Sequence, residues 1–139
     1  MSMEPFFSLC PQVAVSETRT ITVWGNRQLP EGEYGFIELY CVDLECDCRR
    51  VLIQVMTPTS GAKVWATINY GWESLEYYKE WSHGVDDDCR GPLLDPVNPQ
   101  SPYAKTLLEF FKEMLKDRTY ADRFAKHYIL FRKALKHRK

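Results

Sequence analysis

The stretch Arg50-Val51-Leu52-Ile53-Gln54-Val55-Met56-Thr57-Pro58-Thr59-Ser60-Gly61-Ala62-Lys63-Val64-Trp65-Ala66-Thr67-Ile68-Asn69-Tyr70 decides the fold. Val51, Ile53 and Val55 fall on one side of an extended Arg50–Thr57 segment. In Val64–Tyr70, Val64, Ala66 and Ile68 alternate with Trp65, Thr67 and Asn69. A period of two marks a strand with one face buried, because successive side chains of an extended chain point to opposite faces. Pro58-Thr59-Ser60-Gly61 between them has the chemistry of a turn. So short a connection calls for antiparallel pairing, since a parallel crossover needs about a dozen residues or more.

Upstream, Gly32–Cys41 reads as another strand, with Tyr34, Phe36 and Tyr40 on one face and Ile37 and Leu39 on the other. Thr20–Trp24 has strand composition, and Gly25-Asn26 supplies the turn after it. Residues 1–18, with Pro5 and Pro11, read as an irregular arm.

Downstream of Gly71 the period changes. Glu73–Trp81 suits a short helix with Leu75, Tyr78 and Trp81 inward, and 83–100 reads as a loop containing Pro92, Pro96 and Pro99. Ser101-Pro102 is a helix start: serine can accept from orphan amides, and proline is tolerated in the first turn. Ala104, Leu107, Leu108, Phe111, Met114 and Leu115 follow the spacing of one buried stripe. Thr119 and Asp122 resemble a capping box, and Tyr120, Phe124, Tyr128, Phe131 and Leu135 form a second stripe. The expected architecture is α+β: a small antiparallel β-meander packed by C-terminal α-helices. It forms a single domain, 1–139, with strands in 20–71 and mainly helix in 73–139.

The chain length of 139 residues is that of one domain, and 45% hydrophobic residues suffice for a core. Mean hydropathy is −0.40, and no apolar run is long enough for a membrane helix. The start, Met-Ser-Met-Glu-Pro-Phe-Phe, has neither the basic nor the apolar region of a signal peptide, so a cytoplasmic location is expected. Net charge is −1, which gives no global attraction to nucleic acid or anionic membrane. The charge is unevenly spread: seven Lys or Arg and no acid lie between Arg123 and Lys139, whereas 73–88 carries six acids against Lys79. Solvated faces account for this, as does a basic surface that meets an acidic partner.

Five cysteines in a chain without an export signal are expected to be reduced thiols. Cys10 stands apart. Cys41, Cys46 and Cys48 lie within eight residues between two strands, where a turn brings thiols to one point. Tetrahedral zinc takes four N or S ligands, so the chain must return with a fourth. Cys89 and His83 are the candidates, and Cys89 is preferred. Arg49, Arg50 and Arg90 neighbour the thiolates in sequence, and His83 has no such neighbour. The spacing C-x4-C-x-C is also compatible with ordinary reduced cysteines or with a redox thiol whose pKa Arg49 and Arg50 lower.

The run Tyr40-Cys41, Asp43, Cys46-Asp47-Cys48-Arg49-Arg50, together with Ala66-Thr67-Ile68, Tyr70-Gly71-Trp72-Glu73, Gly91-Pro92 and Pro99-Gln100-Ser101, resembles an uncharacterised family of small bacterial proteins. The resemblance spans most of the chain beyond residue 30 and implies no activity.

Other chemistry is sparse. Asp86-Asp87-Asp88 lacks the alternating ligands and the glycine of a calcium loop. His83 and Cys89 have no third member or oxyanion loop to make a nucleophilic pair. His127 and His137 sit among basic residues and read as surface. There is no G-x-S-x-G, Walker A, G-x-G-x-x-G or H-E-x-x-H motif. The expected function is a zinc-stabilised, non-catalytic binding or adaptor domain with a protein partner and no membrane. The rivals are a nucleic-acid-associated protein using the basic C-terminal helix, and an enzyme whose three-cysteine zinc keeps an open position.

Overall fold

A computed structural model describes residues 2–25, 28–58, 63–81 and 90–138. Its strands are β1 (Met3–Pro5), β2 (Thr20–Val23), β3 (Gly32–Cys41), β4 (Arg50–Met56), β5 (Val64–Gly71) and β6 (Leu93–Leu94). Its helices are α1 (Phe6–Leu9), α2 (Pro11–Glu17), α3 (Leu75–Trp81), α4 (Ala104–Met114) and α5 (Arg118–His137). Among the described residues the strands form one antiparallel sheet in the order β1-β3-β4-β5-β6, with β2 beside β1 on the same edge of β3. The fold is α+β, as the sequence predicts. The turns expected at Gly25-Asn26 and Pro58–Gly61 lie partly outside the described residues.

The strand periodicity becomes a two-faced sheet. Phe36, Tyr40, Val51, Ile53, Val55, Ala66 and Ile68 are fully buried on the face that the helices cover. Phe111 of α4 stacks on Phe36 and meets the edge of Tyr70, while Tyr128 and Phe131 of α5 pack on Tyr40. One expected alternation fails. Val55 pairs with Ala66 but Met56 pairs with Val64, so the register slips by one residue. Val64 therefore leaves the core face, and Trp65 turns to the Tyr34 ring, 5.6 Å away.

The N-terminal segment is not the irregular arm its prolines suggested. Met3 pairs with Cys41 and Pro5 with Leu39, extending the edge of β3. Pro11 opens α2, where its missing N–H costs nothing, and Phe6 is buried in the main core. The expected loop 83–100 is also corrected in its described part: Leu94 pairs with Ile68 and Leu93 with Asn69. Beyond β6, Gln100 continues the edge with a side chain. Its carboxamide accepts from the Thr67 N–H at 2.9 Å and donates to the Thr67 carbonyl at 2.8 Å, as a neighbouring peptide would. Gly91 has φ 75°, and a Cβ there would lie 2.5 Å from the Asn69 carbonyl oxygen, so only glycine fits.

Both helix starts shift by a residue or two. Ser101 Oγ accepts from the Tyr103 N–H at 3.1 Å in the turn before α4. The cap of α5 is Asp117, whose carboxylate accepts from the Thr119 N–H at 3.0 Å. A carboxylate at the helix N-terminus also meets the positive end of the macrodipole, and it displaces the expected Thr119–Asp122 box. Both apolar stripes are buried as expected, Leu108 and Leu115 only partly.

Candidate metal centre

Cys41 ends β3, and Cys46 and Cys48 lie in the connection to β4. Their sulfurs all lie within 4.8 Å of one another, buried and free of disulfides. The three form a cluster distinct from the main core, covered by Met3 of β1. The three residues expected from the sequence are therefore brought together. Cys89 and His83 lie outside the described residues, as do Asp86–Asp88. Cys10 is free, half-buried and packed on the other core, apart from the triad.

The local chain explains the convergence. Asp43 Oδ1 accepts from the Glu45 N–H at 2.9 Å and the Asp43 carbonyl accepts from the Cys46 N–H at 3.0 Å, which turns the chain back toward Cys41. Arg49 then adopts φ 49°, a left-handed conformation uncommon outside glycine. This returns the chain to β4 directly after Cys48.

Backbone N–H groups point at the sulfurs. Asp43 donates to Cys41 Sγ at 3.4 Å, and the Arg50 amide donates to Cys48. Such donors favour thiolate. Without a metal, however, burial pushes the Cys48 thiol up to about 12, with Cys46 and Cys41 adding to the effect against the Arg50 N–H. Cys41 is raised for the same leading reason. A metal ion would have to displace these protons. Burial thus works against the thiolate that the redox reading of Cys48 requires.

The loop is held from outside by groups that sequence reasoning missed. Arg132 of α5 donates to the Cys46 carbonyl at 2.6 Å and to the Leu44 carbonyl at 2.8 Å. Tyr128 donates to Asp47 Oδ1 at 2.9 Å. From α3, Tyr77 donates to the Asp47 carbonyl and Tyr78 to the Arg49 carbonyl. Tyr78 passes directly over Gly71, where a Cβ would come within 2.4 Å of its ring. Hydrogen bonds from a charged donor contribute about 1.5–3 kcal/mol each. The half-exposed ion pairs of Arg49 with Asp47 and Glu73 contribute about 1 kcal/mol or less. Arg132 is thus the stronger clamp, although the sequence had pointed to Arg49 and Arg50.

His127 is the second departure. It is 1% exposed, not on the surface. Nδ1 lies 2.7 Å from Glu38 Oε1, Nε2 lies 2.7 Å from Glu17 Oε1, and Phe6 stacks on the ring. A carboxylate at each ring nitrogen calls for two N–H donors, hence the imidazolium. Burial opposes that charge, but the bonds and charges of Glu38 and Glu17 outweigh it, and the pKa rises above its ordinary value. A raised folded-state pKa stabilises fully below the unfolded value and ceases to do so as pH passes the folded one. The melting-temperature advantage of the native protein over His127→Gln is expected to shrink as pH rises from about 6.5 through the raised folded-state value. A constant difference across that range would show that His127 does not titrate in the fold.

The chain matches no known protein family, no curated protein and no solved structure. Among the described residues no helix is long and apolar enough to cross a membrane.

Proposed function

We propose that this protein is a zinc-stapled, non-catalytic binding domain, with Cys41, Cys46 and Cys48 as three ligands and Cys89 as the fourth. One observation carries the reading: three buried sulfurs mutually within 4.8 Å on a loop clamped by α3 and α5. Zn–S bonds of about 2.3 Å put tetrahedral sulfurs about 3.8 Å apart, so a small contraction of this cluster closes round the ion. Soft thiolates favour zinc over hard cations. Zinc would supply the cross-link, and the surrounding residues hold the loop in shape.

Support for Cys89 comes from its sequence neighbour. The Arg90 carbonyl accepts from the Gly71 N–H at 2.7 Å, and Gly71 pairs with Arg50, two residues from Cys48. Arg90 thus lies at the end of the sheet where the chain enters β4 after Cys48, which favours its sequence neighbour Cys89 over His83 as the fourth ligand. The deep burial of the triad, with the thiols of Cys41 and Cys48 pushed up by it, supports a structural role over catalysis.

Separate replacement of Cys89 and His83, with metal counting and spectra of the cobalt-substituted protein, tests the ligand set. Cys89→Ser is expected to lose metal or open a coordination position, and His83→Ala to keep four-sulfur bands. Loss in His83→Ala alone reverses the assignment. Retention in both leaves an open position and brings the enzyme reading forward.

A further inference from the structure

We propose that the groove between the cysteine loop and the outer face of α5 docks an acidic peptide segment carrying an apolar anchor residue. This rests on the binding-domain reading and names the partner's chemistry.

The groove has a volume of about 450 Å3. Its loop-side wall is Asp47, Arg49 and Glu73, and there the charges are largely spent on one another. Arg49 binds Asp47 at 2.9 Å and Glu73 at 2.6 Å. The helix-side wall is Arg132, Lys133 and Lys136. Arg132 spends its donors on neutral carbonyls and the Tyr128 hydroxyl, and its charge reaches Asp47 without a direct ion pair among the described residues. Lys133 and Lys136 are exposed, with no ion pair among the described residues. The groove thus carries a net excess of positive charge, resting on the exposed Lys133 and Lys136. Ile129, 66% exposed, sits on the same wall one helical turn before Arg132 and Lys133. An exposed β-branched side chain ringed by cations suits an acidic segment with one apolar residue to bury.

The same observations disfavour a single-stranded nucleic acid. Base stacking needs open aromatic faces, but Tyr128 is 5% exposed and Phe131 is fully buried. Trp72 packs against both Tyr128 and Tyr40. Asp47 and Glu73 would also face a continuous run of phosphates.

The test uses full-length, metal-replete protein and the fluorescence anisotropy of a labelled Glu-Glu-Leu-Glu repeat peptide. Controls are the same peptide with serine for leucine, and oligothymidine. Burying one leucine is expected to make the leucine peptide bind roughly tenfold tighter than the serine peptide. Ile129→Ser should abolish that preference, and K133E/K136E should weaken the leucine peptide by about tenfold or more. Both changes are at exposed positions, so an unchanged melting curve accompanies them. Equal binding of the two peptides, binding unmoved by K133E/K136E, or tighter oligothymidine binding lost in that variant would each overturn the proposal. Leucine-selective binding by protein shown to hold no metal would instead retain the groove and remove the zinc staple.

Discussion

Metal removal by a strong chelator, confirmed by metal counting, is expected to lower the melting temperature by roughly 15 °C or more. In isolated finger peptides structural zinc contributes about 10–16 kcal/mol, and there the metal stands in for a core. Here the three cysteines form a small cluster of their own, separate from the larger core between sheet and helices. Loss of the ion should therefore free the loop between β3 and β4, together with the β1 strand that covers it, without unfolding α4 and α5. The helical circular dichroism should largely survive when the melting transition shifts. Substituting serine for Cys41, Cys46 or Cys48 should reproduce the chelator's effect. An unchanged transition after confirmed metal loss would contradict a structural role.

Phe124→Ala is expected to destabilise the protein by about 3–5 kcal/mol, comparable to the whole stability of a marginal domain at about 5 kcal/mol. The side chain is fully buried where three elements meet, with its ring 5.7 Å from Tyr70 of β5, 6.1 Å from Phe111 of α4 and 5.0 Å from Tyr120 of its own helix. Truncation removes both the transfer term and the packing of three neighbouring rings, which cannot collapse onto a small residue. Phe7→Ala is the control. Phe7 is 52% exposed, so its removal should change stability by about 0.5 kcal/mol or less. Equal effects in the two variants, read from denaturant unfolding, would mean that the helices do not pack on the sheet as described.

These contrasts show which physical signals the sequence carried. The β3-β4-β5 meander was legible because period-two patterning sets which face is buried, and the register departs from it only at the Val55/Met56 slip. The α4 and α5 stripes were legible because each repeats its spacing over several turns. The three cysteines were legible because so few residues separate them that a turn must bring them together. Strand β1 was not, since a three-residue strand has no period and depends on a partner, Leu39 to Cys41, far along the chain. A signal for α2 was present in Pro11 but was read as a breaker. His127 lies three residues after Phe124 and four before Phe131, within the buried stripe, yet its basic neighbours suggested solvent. Arg132 left no trace at all, because donation to backbone carbonyls has no residue-type signature.

The carboxamide of Gln100 on Thr67 bears on how the folded chain behaves in a crowded solution. A sheet edge with unpaired N–H and C=O groups is a template on which another chain can add a strand and seed aggregation. On the β5 side, β6 covers Ile68 and Asn69, Gln100 covers Thr67, and the Ser101 N–H donates to the Trp65 carbonyl at 3.0 Å. The outer edge of β5 is therefore covered by a two-residue strand, the Gln100 side chain and backbone groups of Arg90, Asp95 and Ser101. Deamidation of Gln100 would leave a carboxylate where a donor is needed, withdrawing the bonds to the Thr67 and Asp95 carbonyls and leaving the Asp95 N–H, 2.9 Å away, as the remaining cover of the Thr67 carbonyl, so slow chemical ageing at one residue would thin the guard on this edge.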